Sequence, residues 1–205
     1  MEHTQARSNI YALLSRVLMQ EADAELLEII NQDEQILEMM PNYKVWEART
    51  TLESSELTGS HLNPDFTNLS LLHLIPYETF YTREDQMIET GGANPVTDIY
   101  SAYDFMVDFE AARVVSADHI AVELEFMYHL CEAQIKAMNE KDGGAVRELM
   151  EVERTFLDKH LLRWAPLYLL NMKFESRTPL YYDTADMTLE FLLSDFQYLS
   201  ETLGD

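Results

Sequence analysis

The sequence predicts an all-α fold: a single globular multi-helix domain over residues 1–205, built from about eight to ten helices. Three observations predict it. Apolar residues recur at spacings of three and four in segment after segment, which lines them along one face of a helix. No segment sustains the period-two alternation, rich in Val and Ile, that a half-buried strand shows. Apolar residues form 47% of the 205-residue chain, enough for a core without a disulfide framework. The single cysteine, Cys131, leaves no disulfide to form and reads as a small buried hydrophobe in a reducing compartment.

The elements follow in chain order. Residues 4–20 are amphipathic, with Ile10, Leu13, Leu14, Val17 and Leu18 on one side. Residues 24–40 repeat the pattern through Leu26, Leu27, Ile30, Ile36, Leu37 and Met40, and Pro41 stops it. A weaker helical segment covers 45–57. Ser54, Ser55, Thr58, Gly59, Ser60 and Pro64 then read as a connector, a minor subdivision near 54–64. Asn63-Pro64-Asp65 starts a helix that Pro76 closes. Pro76-Tyr77-Glu78-Thr79-Phe80-Tyr81 places three aromatics beside a proline, and residues 91–95 form a loop. Residues 97–110 read as one helix with Ile99, Tyr103, Met106 and Val107 inward.

Residues 116–138 have the clearest helical period: Ile120, Leu124, Met127, Cys131, Ile135 and Met138 share a face, with Glu123, Glu132 and Lys136 mostly on the others. Ser116 or Asp118 caps its start. Residues 141–144 turn. Residues 145–164 form a long helix that Pro166 breaks or kinks, 167–174 resume it, and 183–203 form the last helix.

Fourteen basic residues face 37 acidic ones, a formal net charge of −23. Nucleic-acid binding needs a basic footprint and is excluded, as is adhesion to anionic membrane. The charge suits a basic partner by steering. Residues 10–19 are interrupted by Ser15 and Arg16, no basic stretch precedes them, and no run is long enough to span a membrane. The reading is a cytoplasmic protein without membrane insertion.

The usual spacings for catalysis or metal binding do not occur: no H-E-x-x-H, C-x-x-C, phosphate loop or G-x-S-x-G, so no cofactor is expected. His119/Glu123 and Glu125/His129 are i,i+4 pairs of an ordinary helical kind. Tyr77, Phe80 and Tyr81 either pack a helix-to-loop corner or line a peptide groove. Asp118-His119 is either a helix cap with a surface histidine or a polar contact point where Asp118 receives an arginine. Beside a helix N-terminus, His119 is expected to be neutral near pH 7.

Four segments carry a family likeness. Residues 118–127, DHIAVELEFM, resemble the D-H-x-x-x-E-L-x-F-M signature of the TorD/DmsD/NarJ family of redox-enzyme maturation chaperones. Residues 156–166, FLDKHLLRWAP, are similar to its F-x-x-x-H-L-x-x-W-x-P motif. Residues 6–15 resemble its first helix and 76–81 its proline-aromatic segment. The resemblance implies a non-enzymatic, all-helical cytoplasmic chaperone. Its partner would be the leader or N-terminal peptide, often twin-arginine, of a molybdoenzyme catalytic subunit, held while cofactor is inserted and before export or assembly. Carried over, the peptide-binding residues are Asp118, His119, Pro76, Tyr77 and Tyr81, with Glu123, and with Phe80 from the aromatic cluster. The DmsD branch has tryptophan after the proline where this chain has Tyr77, and Glu78 and Arg83 also differ from it. A small helical hydrolase using His119 and nearby carboxylates, or a generic helical adaptor, are the rival readings. Loops at 54–64 and 89–95 leave both monomer and helix-exchanged dimer open.

Overall fold

The computed structural model describes residues 1–204, and it is predominantly helical, with no strand among them. They form two compact units. The first comprises Met1–Met19, Pro76–Ala165 and the chain from Phe191 onward; the second comprises Gln20–Ile75 and Pro166–Glu190.

In the first unit the helix Glu2–Met19 packs on the helix Ile120–Glu140, which packs in turn on Gly143–Phe156. The predicted apolar face is buried: Ile120, Leu124, Met127 and Cys131 are inside, and Ile135 and Met138 are half-buried. Glu123 departs from the expectation, being fully buried on this helix. Burial here surrounds the first two turns on every side, so helical phase does not separate inside from outside. Ser15 stitches the first helix to the central one by donating to the Ala121 carbonyl at 2.8 Å. Around Phe126 stand Tyr100, Phe105 and Phe156, with ring centroids 4.7, 5.4 and 4.9 Å away.

A buried ion cluster joins four helices of this unit. Arg7 donates to Glu153 at 2.6 Å, to Gln134 at 3.3 Å and to both carboxylate oxygens of Asp195. Tyr11 donates to Asp195 at 2.6 Å. Burial opposes the guanidinium charge, but Glu153 leads the neighbours that outweigh it, and Arg7 stays charged. Burial pushes Glu153 up to about 7.

Several sequence expectations are corrected. Residues 97–110 are not one helix: Thr97–Ala102 ends where Asp104 adopts a left-handed φ of 54°, and Phe109–Ala112 is a separate turn ending at Arg113, φ 56°. Met106, expected inward, is 90% exposed, and Tyr100 takes the buried place. The expected connector at 54–64 is helical, running through Ser54–Leu57, a π-helical turn at Thr58–Leu62 and Asn63–Thr67. Leu57, Leu62, Phe66 and Leu69 are all buried there. The wider π turn brings residues five apart onto one face, so the polar residues between do not break the helix. Residues 54–64 lie inside the second unit. Pro166 sits inside the helix Leu162–Glu175. The π turn at Leu157–Leu161 just before it loosens the backbone that the proline ring would otherwise meet.

The second unit is pinned by two buried aspartates. Asp65 accepts the backbone N–H groups of Arg177 and Thr178 and the Thr178 hydroxyl, at 2.7–3.2 Å. Asp183 accepts the Tyr43 N–H at 2.8 Å and Asn42 at 2.6 Å. No helix among the described residues is long and apolar enough to cross a membrane.

Candidate functional site

Every residue singled out in the sequence for peptide binding lies in the first unit, and the backbone brings two distant segments together there. Residues 76–78 and 118–120 pair in one antiparallel bridge centred on Tyr77 and His119. The Ile120 N–H donates to the Pro76 carbonyl at 2.9 Å, and the Glu78 N–H to the Asp118 carbonyl at 3.0 Å. Pro76 suits this bridge because it has no N–H to leave unpaired.

Asp118 is fully buried. Its Oδ2 accepts the Thr79 N–H at 2.8 Å and the Thr79 hydroxyl at 2.6 Å. Its Oδ1 faces Asn94 Nδ2 at 2.9 Å and the Ser116 hydroxyl. The expectation that Asp118 stands open to an arginine does not match this placement, because its acceptor positions are taken by internal donors.

His119, not Ser116 or Asp118, caps the central helix: its Nδ1 accepts the Ala121 N–H at 3.2 Å. It is no surface histidine, being 5% exposed. Burial lowers it to about 4, the neighbouring Asp118 only partly offsetting this, so the ring is neutral near pH 7 as expected. An Nδ1 that accepts requires the proton on Nε2. The ring stands edge-to-face with Tyr77 at 5.0 Å, and the Tyr77 hydroxyl accepts the Val115 N–H at 3.2 Å.

Glu123 begins a second polar cluster. Its Oε2 accepts the Trp164 indole N–H at 3.2 Å, while Oε1 has no donor. Burial, then the charges of Glu78 and Asp118, push it well above the ordinary carboxylate range. Burial and the neighbouring acids Glu78 and Asp118 thus favour the protonated form of Glu123. Glu78 is also met by His160 Nδ1 at 3.0 Å. Tyr81 stacks on Trp164 at 5.4 Å, and Phe80 stands edge-on to Tyr81 at 5.1 Å. Both remain half-exposed, and burial raises the Tyr81 phenol to about 12.

Thr79, Glu78, Asn94 and Ser116 complete the site; in the sequence Ser116 reads only as a helix cap and Glu78 only as a departure from the DmsD branch, and Thr79 and Asn94 carry no assigned role. His160 and Trp164 stood inside a quoted motif without an assigned role, and that motif was the available signal. Among the described residues no three His, Cys, Asp or Glu side chains are placed to hold a metal ion.

The class these features define is an all-helical protein organised around a buried polar latch. The family model described as the nitrate reductase delta subunit matches residues 19–169. The chain belongs to that family, the NarJ/TorD chaperones. It is similar to the chaperone protein TorD of Photobacterium profundum, 27% identical over 207 residues and covering 94% of each chain. It is also similar to TorD of Vibrio cholerae, 26% identical over 178 residues, with 84% of this chain and 77% of that one covered. TorD of Vibrio atlanticus is 23% identical over 158 residues, covering 75% and 71%. No solved structure matches the chain. These relatives are named as chaperones, and the protein is a chaperone of this family, not an enzyme.

Proposed function

We propose that the protein binds the N-terminal or leader peptide of a molybdopterin oxidoreductase subunit in the cytoplasm, and holds it for cofactor insertion and assembly or twin-arginine export. One observation carries this reading. The connection between residues 83 and 115 exposes Met87, Met106, Phe109 and Val115 among the exposed acids Glu84, Asp85, Asp98, Asp104, Asp108 and Glu110. Large apolar side chains held this open in an acidic setting suit a partner that is both basic and apolar, as a leader with arginines before an apolar stretch is.

The energetics assign the roles. A micromolar complex needs about −8 kcal/mol. Exposed ion pairs supply ~0–1 kcal/mol each, so apolar burial on Met106, Phe109 and their neighbours supplies most of it. The acids steer the approach and set the register. In this reading the half-exposed Phe80 and Tyr81 offer further apolar contact, while the buried Pro76, Tyr77, Asp118, His119 and Glu123 support the segment from within.

The test is a titration of the protein with a labelled twin-arginine leader peptide at low and high salt. Tight binding that weakens with salt, and that falls about tenfold or more in a Met106→Glu/Phe109→Glu variant, is expected. Both positions are exposed, so the variant folds. No binding of any molybdoenzyme N-terminal peptide, or binding indifferent to salt and to both substitutions, overturns the proposal.

A further inference from the structure

We infer that Asp118 is a positioning residue: its buried carboxylate clamps the start, middle and end of the 79–116 connection, and it acts on the client through the shape of that connection rather than by meeting a client arginine. The inference rests on the peptide-binding reading above for its consequence, but not for its geometry.

The donors around Asp118 come from three separate places along the connection. Thr79, at its start, gives a backbone N–H and a hydroxyl. Asn94, in its middle, gives a side-chain N–H, and Ser116, at its end, a hydroxyl. A carboxylate has about four acceptor positions, and four donor groups face them. The partners are tied to one another as well. The Thr79 hydroxyl accepts the Glu89 N–H at 3.0 Å. Asn94 Nδ2 lies 3.0 Å from the Glu89 carbonyl and 2.8 Å from Ser116 Oγ. The Ser116 hydroxyl has one proton to give and faces both Asp118 and the Glu89 carbonyl, the latter at 2.6 Å. Asn94 Oδ1 in turn accepts the Val96 N–H at 3.2 Å, which starts the Thr97–Ala102 helix.

One carboxylate thus gathers residues 79, 89, 94 and 116. The 83–89 stretch also carries the ion pairs of Arg83 with Asp85 and Glu89, at the surface where such pairs hold little, and short-range turn bonds such as Met87 N–H to Asp85 at 3.1 Å. Admitting a guanidinium to Asp118 would strip donors from a buried charge, a costly exchange. The exposed Asp104 and Asp108 present their charges at no such cost.

The experiment compares wild type with Asn94→Ala, Asp118→Asn and Asp104→Asn/Asp108→Asn. It reads amide exchange over residues 83–116 in the free protein, and leader-peptide affinity against salt. Asn94→Ala removes a donor and leaves the Asp118 charge in place. Under the clamp, Asn94→Ala and Asp118→Asn each lower exchange protection across the connection and weaken peptide binding about tenfold, with the salt slope kept. The double acid variant flattens the salt slope and leaves protection unchanged. Wild-type affinity in Asn94→Ala together with a flattened slope in Asp118→Asn overturns the inference, since it makes Asp118 the arginine's partner. If the wild type binds no leader, the proposed function falls, and the exchange measurement alone decides the clamp: unchanged protection in Asn94→Ala refutes it. Should Asp118→Asn not fold, Asn94→Ala carries the same test.

Discussion

Acidifying the protein through the range where histidine titrates should cost it stability through His119, and the size of the loss follows from the burial of that ring. In the unfolded chain His119 takes up a proton near its ordinary value of 6.5; in the fold, burial lowers this to about 4. Between those values the unfolded state binds more protons than the native one, so stability is full above 6.5 and is lost as pH falls toward 4. At ~1.4 kcal/mol per unit, the whole window is worth ~3 kcal/mol, and about 2 kcal/mol of it is gone at pH 5. His119→Asn isolates the effect. Asparagine is a good helix cap and offers an oxygen to the Ala121 N–H in place of Nδ1, but it does not titrate. Glu123 and Glu153, raised by burial, push the other way as pH falls, and they cancel when the variant is subtracted from wild type. Urea unfolding at pH 7.5 and pH 5 should show wild type losing about 2 kcal/mol more than His119→Asn. Equal losses, or a His119 resonance that titrates at or above 6.5, would refute the argument that a buried, cap-accepting ring stays neutral.

Two further outcomes follow from the same core. Glu123→Gln preserves the shape of the protonated acid, and its amide oxygen can still accept from Trp164; because the native carboxyl holds its proton above the unfolded value, wild-type stability falls as pH rises from about 4.5, so the variant should gain on wild type as pH is raised, measured by urea unfolding, and a constant difference would contradict a raised Glu123. Phe126→Ala removes the ring shared by Tyr100, Phe105 and Phe156 and should cost about 3–5 kcal/mol, visible as a large drop in unfolding midpoint.

What the sequence made legible was local. The three-and-four spacing of Ile120, Leu124, Met127 and Cys131 reads as a buried helical face because period is a property of neighbours along the chain. The bridge between Pro76–Glu78 and Asp118–Ile120 has no local signal: it joins segments some forty residues apart, and no spacing rule reaches that far. The family likeness drew Pro76, Tyr77, Asp118 and His119 into one group, but it did not reveal that Thr79, Asn94 and Ser116 saturate the aspartate. Glu123 misled for the same reason. Its helical phase is polar, yet Trp164 and Glu78 arrive from elsewhere to cover it. A left-handed residue, Asp104, splits the 97–110 segment whose composition reads as one helix, since an aspartate is equally at home on the polar face of a helix.

Burial also changes the meaning of the net charge. A value of −23 invites the picture of a uniformly acidic surface ready for a basic client. Asp65, Glu78, Asp118, Glu123, Glu153, Asp183 and Asp195 are all buried, and each accepts hydrogen bonds from its own chain. These acids hold segments in place, and salt in the solvent reaches them poorly. The acids free to steer a cation are those left outside, and the 83–115 connection carries six of the exposed ones beside four exposed apolar side chains. A charge pattern that looks redundant in composition is therefore divided by the fold into two jobs: carboxyl groups that tie segments together inside, and carboxylates that the surface presents. Salt dependence separates them experimentally, because only the second group loses its effect as ionic strength rises.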